Sequence, residues 1–370
     1  MAKKNTTIYC DIALSQWHNP EFGSLENGNR VIIDVNFYRN AGYNITFASP
    51  DLVKHSDILK TTHGTNPLFN YLSTTKFDKT WFEKILRLDS HNTKSRNCHG
   101  CTTFTRANVC ATCNTHRDTR YFFLYAHVID NNILDSDTTY ITHNSYKAII
   151  YSTSLVCQMI DDICNVHNRN YHDKNIKHGF ALVRPPGHHA SQDKSQGFCL
   201  VNNIAVCAEY ALQSNYNVKK IFIFDFDAHH GNGTQEIFYN RSDVYYCSMH
   251  TLDFYPKTGL ESEKGQGSGD GYNLNIVVKK NITTDEYLAI VYTKVLTEII
   301  QYNPDIILIS AGFDGLISDP MKIMNLTYDC YGSIVNILKN VGVPIGMILE
   351  GGYDLEELSN CYDVCIKTLG

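Results

Sequence analysis

The chain has 370 residues, of which 43% are hydrophobic and 19% are charged, and its formal net charge is −6. This composition is ample for the core of one large domain or two ordinary ones, and it excludes a disordered chain. The negative charge excludes a broad basic surface for phosphates, so we expect no direct binding of nucleic acid.

The N-terminal segment MAKKNTTIYC leads into a strand-like run around Ile8 without a long apolar stretch, which predicts no secretory signal. No run of about 18 apolar residues occurs, so we also predict no membrane span. Thirteen cysteines are an odd number, which disfavours a fully disulfide-paired secreted protein. Reduced thiols and a cytoplasmic or nuclear location fit this pattern better.

Two Cys-x-x-Cys pairs stand in a polar region of about residues 66–139. Four thiolates at this spacing can close a tetrahedral zinc site. We predict an inserted, cysteine-rich segment over residues 96–117 with a structural zinc on Cys98, Cys101, Cys110 and Cys113. His99 or His116 can replace one thiolate, and free or redox-paired thiols are the alternative. Whether the insertion only stabilises a long inserted segment or also binds a partner stays open.

From residue 145 onward, helical and strand patterns alternate. Apolar residues at helical spacing predict helices over 145–166, 201–212, 284–300, 326–338 and 355–369. Short apolar runs predict buried strands over 180–183, 221–226, 244–248, 306–310 and 344–349. This alternation predicts a single α/β domain over residues 1–370, with a mainly parallel central sheet and helices on both faces.

Polar side chains follow three of these strands. Asp225, Asp227 and His229 end the strand over 221–226, Asp314 follows the strand over 306–310, and Tyr353 follows the last strand. Ligands of parallel α/β sheets bind beyond the carboxyl ends of the strands, so we expect one shared site.

The segment DFDAHHGNG predicts a metal site. In an extended chain, alternate residues point the same way, which would place Asp225, Asp227 and His229 on one face. With Asp314 as a third ligand, two carboxylates and one imidazole would leave a position open for water, as a catalytic zinc requires. For any one of these residues alone, a turn cap or a structural histidine is the simpler interpretation.

Two further segments carry candidate acid–base and polarising groups. His188 and His189 follow Arg-Pro-Pro-Gly, and adjacent imidazoles can form a pair whose pKa values are pushed apart. Tyr353 follows two glycines at a strand end, from which its hydroxyl can polarise a carbonyl in a cleft. Taken singly, a polar loop and a half-buried aromatic are the simpler interpretations of these two segments.

Together, the segments resemble the zinc-dependent histone deacetylases of the arginase–deacetylase superfamily. RPPGHHA, GFCLVNNIA, FDFDAHHGNGTQEIFY, SMH, SAGFDG with a later DP, and LEGGYDLEEL occur in that family's order from about residue 137 to the C-terminus. The N-terminal part matches weakly: Glu26 and Arg30 are similar to an early Glu-x-x-x-Arg element, but Ser24 and Leu25 replace its His-Pro. The cysteine segment is not part of the pattern.

The resemblance implies the arginase/deacetylase fold and a catalytic zinc on Asp227, His229 and Asp314. His189 would take a proton from the metal-bound water and pass it to the leaving amine. His188 would be its electrostatic neighbour with Asp225 as a partner, and Asn232 would orient His189.

The resemblance also implies carbonyl polarisation by Tyr353 and a narrow channel for an acyl-lysine stem. Phe198 and Tyr255 would wall the channel, with Gly197 beside them and Met321 at the rim. A monovalent cation, K⁺ or Na⁺, would be bound by Asp225, Asp227, His229 and Ser248, partly through backbone carbonyls.

Details favour an active protein deacetylase. Asn232 and the SAGFD and LEGGY segments resemble class II deacetylases and acetylpolyamine amidohydrolases, and Tyr353 replaces the His of the weakly active class IIa group. Met321 stands where the polyamine-selective branch carries a Glu that attracts a cationic substrate. We therefore predict zinc-dependent hydrolysis of the acetyl amide of N-ε-acetyl-lysine in proteins, with histones and a role in chromatin regulation as the implied context.

Three alternatives stay open. An acetylpolyamine amidohydrolase would use the same chemistry on a small acetylated cation. A ureohydrolase of the arginase kind would need two manganese ions and a closer carboxylate pair than SAGFD offers. A catalytically silent scaffold would bind acetyl-lysine, although the tyrosine, the ligands and the histidine pair of an active enzyme are all present.

Overall fold

The computed structural model describes residues 4–11, 13–16, 25–47, 58, 62, 139, 145–164, 177–214 and 216–370. The predicted structural zinc site on Cys98, Cys101, Cys110 and Cys113 lies outside the described residues, as does the rest of the segment 96–117.

In the described part of the chain, eight parallel strands form one sheet: β1 (Thr6–Tyr9), β2 (Asn44–Thr46), β3 (His178–Ala181), β4 (Ile221–Asp225), β5 (Val244–His250), β6 (Asn273–Val277), β7 (Ile306–Ala311) and β8 (Ile345–Leu349). Their order across the sheet is β2-β1-β3-β8-β7-β4-β5-β6. The central strands are buried on both faces because helices cover the sheet. This architecture confirms the predicted α/β fold with its parallel sheet.

The helices bury their apolar faces against this sheet and against one another. They are α1 (Ala13–Gln16), α2 (Val35–Asn40), α3 (Ser145–Cys164), α4 (Asn203–Gln213), α5 (Asn232–Phe238), α6 (Thr284–Ile290), a π-helical turn (Val291–Val295), α7 (Leu296–Tyr302), α8 (Tyr328–Lys339) and α9 (Leu358–Leu369), with 3₁₀ turns at Gly28–Val31 and Gly267–Gly269. α3 packs on α4, and α8 packs on α9. Among the described residues, no helix has both the length and the apolar character needed to cross a membrane.

The edge strand β6 was absent from the sequence prediction because it buries polar side chains. Asn273 and Asn275 are both buried, and the side-chain amide of each donates to Gln235 Oε1, at 3.0 and 2.8 Å. A buried asparagine is compatible with a strand when another element satisfies its amide. Here Gln235 on α5 does so.

Sheet order positions the site. β3, β8, β7 and β4 are consecutive neighbours, so the segments that follow them meet at one edge of the sheet. Those segments carry the histidine pair, Tyr353, Asp314 and the run from Asp225 to Asn232. The prediction of one shared site rested on this rule for parallel sheets.

Candidate metal and acid–base site

β4 ends at Asp225, and the chain then bends instead of continuing as an extended strand. The prediction that Asp225, Asp227 and His229 share one face of an extended chain is therefore wrong. The His229 N–H donates to Asp227 Oδ1 at 2.9 Å, a local turn that brings these two side chains together. Asp225 is directed elsewhere, toward His188.

Asp227, His229 and Asp314 converge in a buried cluster whose potential ligand atoms all lie within 4.8 Å of one another. His229 Nδ1 is 3.1 Å from Asp227 Oδ1 and 2.7 Å from Asp314 Oδ2. The second oxygen of each carboxylate accepts a backbone N–H. Asp227 Oδ2 accepts from Gly351 at 2.8 Å, and Asp314 Oδ1 accepts from Ala228 at 2.9 Å.

Two glycines make this packing possible. A Cβ at Gly312 would lie 2.0 Å from Asp227 Oδ2, and one at Gly351 would lie 2.5 Å from Asp227 Oδ2 and 2.7 Å from Asp314 Oδ2. Any side chain at either position would therefore displace the carboxylates.

The donor set fits one divalent ion such as zinc, since two carboxylates and one imidazole leave a position open. Burial disfavours a charged His229, but Asp314 and Asp227 outweigh that effect and raise its pKa to about 10. The imidazole proton is thus held between two carboxylates in the metal-free protein. A metal binds the neutral imidazole and takes the place of that proton.

The tandem histidines have different partners. His188 Nδ1 lies 3.1 Å from Asp225 Oδ2, which also accepts the Tyr246 hydroxyl at 3.0 Å. His189 Nδ1 lies 2.9 Å from Asn232 Oδ1, a neutral acceptor. The two imidazole rings are 3.9 Å apart between centroids. The predicted partners of both histidines are thus at hydrogen-bonding distance.

These partners push the two pKa values apart. Burial opposes charge on His188, but Asp227 and Asp225 outweigh it and raise its pKa to about 10. Burial lowers the pKa of His189 well below its usual range, and the positive charges of His188 and His229 lower it further. His189 is therefore the neutral member of the pair and the one able to accept a proton.

Tyr353 lies beside this cluster. Its ring is 6.0 Å from the Phe198 ring, and the Arg30 guanidinium lies 5.0 Å from its centroid. Burial raises the pKa of the phenol well above its usual range, Arg30 opposes this shift, and Asp314 and Asp227 add to it. The hydroxyl therefore keeps its proton and can donate a hydrogen bond.

Three of the four predicted channel residues are assembled around the histidines and Tyr353. The Tyr255 ring stands perpendicular to His189 at 4.9 Å, and Phe198 faces Tyr353. Gly197 has a φ of 56°, and a Cβ there would lie 2.5 Å from the His189 ring and 2.8 Å from Tyr255. Only glycine fits between these rings. Met321 is partly buried, and its backbone N–H donates to Asp319.

Ser248 lies directly opposite Asp225 in the β4–β5 register. Its hydroxyl lies 2.8 Å from His250 Nδ1, so the side chain is already engaged. The structure thus brings Ser248 beside Asp225.

Several charged residues behind the site had no predicted role. Glu350 Oε2 accepts the backbone N–H groups of Gly187 and His188 at 2.6 and 3.0 Å, which fixes the histidine loop. The buried Glu26 carboxylate binds both Arg30 and Arg184. Glu26 and Arg30 were recognised only as a weak motif, and no local pattern indicates that Arg30 reaches Tyr353.

The chain is similar to several known proteins. The histone deacetylase domain matches residues 83–369. Histone deacetylase 6 of Caenorhabditis elegans is 38% identical over 240 residues, which are 63% of this chain and 24% of that protein. The matched part of the chain thus spans about a quarter of the length of three such curated relatives. It spans 53% of a fourth, the chloroplastic histone deacetylase 14 of Arabidopsis thaliana, at 36% identity.

Two crystal structures share the fold. The HD domain of HDA15 has a TM-score of 0.71 and 27% identity, covering 100% of this chain and 88% of that one. An acetylpolyamine aminohydrolase from Burkholderia pseudomallei has a TM-score of 0.74, covering 99% of this chain and 98% of that one. Its 22% identity supports the shared fold alone.

Proposed function

The chain belongs to the histone deacetylase family, and on that basis we propose that it hydrolyses the acetyl amide of N-ε-acetyl-lysine in proteins in a zinc-dependent reaction. One observation carries the proposal: a buried two-carboxylate, one-imidazole cluster adjoins His189, whose ring lies 6.1 Å from that of His229, and Tyr353. Burial lowers the pKa of His189 and raises that of Tyr353. Amide hydrolysis needs these three functions within reach of one carbonyl.

Zinc held by Asp227, His229 and Asp314 would supply Lewis-acid polarisation of the acyl carbonyl and lower the pKa of a water. His189 would take the proton of the attacking water, because its low pKa leaves the imidazole neutral. The hydrogen bond of its Nδ1 to Asn232 leaves Nε2 as the free nitrogen. The same imidazole would then protonate the leaving amine.

Tyr353 would donate a hydrogen bond from its hydroxyl to the oxygen on which negative charge develops. Its raised pKa keeps the phenol protonated, and the Arg30 guanidinium over its ring restrains the side chain. A donor fixed before the reaction stabilises the transition state without a cost of reorganisation.

Charge near the predicted channel favours acetyl-lysine over an acetylated polyamine. Lys280 lies 5.3 Å from the Phe254 ring centroid, and the Asn281 N–H bonds to the Ile323 carbonyl at 2.9 Å, so the segments next to Tyr255 and Met321 adjoin. The exposed charged residues of 253–257, 279–281 and 321–323 are four lysines and one aspartate. Glu286 neutralises one of them, Lys279, in an ion pair at 2.5 Å, and the other three lysines still outnumber the aspartate. Excess positive charge beside the predicted channel disfavours the binding of a polycation, and Met321 adds no negative charge that would attract one.

Acetate release from an acetyl-lysine peptide tests the chemistry. We expect turnover by the zinc-loaded chain and its loss on chelation. The matched variant His189→Ala should keep its zinc and lose about 10²–10⁴-fold in turnover, as expected for a general base. Full turnover by His189→Ala, or by the metal-free chain, would contradict the assignment.

An acetylpolyamine amidohydrolase is the second candidate, because an enzyme of that name shares the fold. It would use the same cluster and the same His189 and Tyr353, so only the substrate distinguishes the two functions. Faster hydrolysis of N⁸-acetylspermidine than of the peptide would favour this candidate. Binding of acetyl-lysine peptides without hydrolysis of either substrate would favour a silent scaffold.

Two further metal ions belong to the same proposal. Asp225 and Ser248 are neighbours across β4 and β5, which supports a K⁺ or Na⁺ ion near them with Asp227 and His229. The spacing of Cys98, Cys101, Cys110 and Cys113 supports a structural zinc.

A further inference from the structure

Asp319 is a buried carboxylate that takes no part in the proposed chemistry. Its side chain is 0% exposed, and its two oxygens accept backbone N–H groups from two different segments. Oδ1 accepts from Met321 at 2.8 Å, and Oδ2 accepts from Tyr353 at 2.7 Å. One carboxylate therefore holds a predicted rim residue and the predicted carbonyl-polarising residue.

The turn that carries Asp319 is itself fixed. The Asp319 N–H donates to the Leu316 carbonyl at 3.1 Å, and the Lys322 N–H donates to the Asp319 carbonyl at 3.0 Å. The segment before Tyr353 consists of Gly351 and Gly352. The Gly351 N–H donates to Asp227, and the Gly352 carbonyl accepts from Arg30 Nε at 2.7 Å. Gly352 has a φ of 110°, a backbone conformation that other residues rarely adopt. The carboxylate thus joins the turn at residues 316–322 to the backbone of Tyr353, the residue that follows the two glycines.

We propose that Asp319 is a positioning residue: it fixes the backbone at Tyr353, and thereby the hydroxyl, while it ties the same segment to the channel rim at Met321. The inference rests on the proposed function, because it assigns a consequence to the placement of Tyr353. Arg30 acts from the other side, over the tyrosine ring.

The contact requires a carboxylate. Because the two N–H groups bind different oxygens, Asp319→Asn keeps one acceptor and directs an NH₂ group at the other donor. A buried N–H without an acceptor is unfavourable, so the segment is expected to shift. The substitution preserves size and removes one acceptor, which makes it a specific test.

The decisive experiment measures kcat and KM for an acetyl-lysine peptide with Asp319→Asn, alone and combined with Tyr353→Phe. With Tyr353 present, we expect kcat to fall by about tenfold to a hundredfold, as expected for a misplaced catalytic group. In the Tyr353→Phe background no hydroxyl remains to misplace, so the further loss in kcat should be under about twofold. Any change in KM should be the same in both backgrounds, because the Met321 contact does not involve the Tyr353 hydroxyl.

Asp354→Asn is the matched control. Asp354 is adjacent to Tyr353, and its Oδ1 accepts from Glu356 and Glu357 N–H groups within the same local turn. We expect its kcat and KM to match those of the unsubstituted chain. Equal losses in kcat from Asp319→Asn in both backgrounds would overturn the proposal, because Asp319 would then act independently of the hydroxyl.

Amide hydrogen exchange of the unsubstituted, zinc-loaded chain tests the contacts if Asp319→Asn does not fold. The Met321 and Tyr353 amides should both exchange slowly, since both donate to a buried acceptor. Fast exchange at either would overturn the proposal. An unsubstituted chain that hydrolyses no acetyl amide would instead refute the proposed function, while the exchange result would still decide whether Asp319 anchors both segments.

Discussion

At the residue scale, the site depends on neighbours that give identical side chains different charges. His188 and His189 are adjacent, yet one is paired with the carboxylate of Asp225 and the other with the neutral amide of Asn232. A divalent ion bound next to His189 would lower the pKa of His189, as the charge of His188 does, because nearby positive charge disfavours the imidazolium. This division of charge leaves His189 available as a base.

Tyr353→Phe tests the role of the hydroxyl. The substitution removes one oxygen and keeps the ring, so the contacts with Phe198 and Arg30 should persist. We expect kcat to fall by about 10²–10³-fold, as for the loss of one oxyanion donor, with the zinc content unchanged. Steady-state kinetics and metal analysis of the same preparation give both values. Turnover close to that of the unsubstituted chain would remove Tyr353 from the mechanism.

At the element scale, β3 and β8 are joined by a histidine that must stay neutral. His178 Nδ1 accepts the Ile345 N–H at 3.2 Å, and the side chain is 3% exposed. Burial lowers its pKa from 6.5 to about 4, and Lys339 contributes in the same direction. Because the unfolded chain takes up this proton first, stability is complete above about pH 6.5 and falls as the pH decreases toward 4.

His178→Asn should remove this dependence, because the Asn oxygen accepts the same N–H without titrating. Between pH 7.5 and 5, the free energy of unfolding of the unsubstituted chain should fall by about 2 kcal/mol more than that of the variant. Urea unfolding of both chains at the two pH values measures these changes in the free energy of unfolding. The contributions of the other titrating groups are common to both chains and cancel in the comparison. Parallel pH profiles would show that His178 is not buried as a neutral acceptor.

The sequence predicted the parallel sheet and the residues at its strand ends because both depend on local patterns. Strand-end polar residues in a parallel sheet must meet, so Asp227, His229 and Asp314 could be grouped before their geometry was known. The bend after Asp225 was not predictable, because it follows from the hydrogen bonds that Asp227 makes after folding. Asp319 was equally hidden, since its partner Tyr353 is 34 residues away in the sequence.

At the scale of the whole molecule, we predict two zinc ions per chain with different roles. The described cluster on Asp227, His229 and Asp314 would hold one, and the four cysteines of segment 96–117 would hold the other. Replacing Cys98 and Cys101 by Ser should lower the zinc content from two to one per chain and leave residual deacetylation. Asp314→Asn should also remove one zinc but abolish turnover. One zinc in the unsubstituted chain would contradict the structural site.

The most direct test compares kcat/KM of the zinc-loaded chain for an acetyl-lysine peptide and for N⁸-acetylspermidine under identical conditions. We expect hydrolysis of both at the same cluster and a clear preference for the peptide. Met321 carries no negative charge, and the lysines beside the predicted channel repel a polycation. A preference for the polyamine would contradict the substrate assignment, and hydrolysis of neither would contradict the proposed deacetylase.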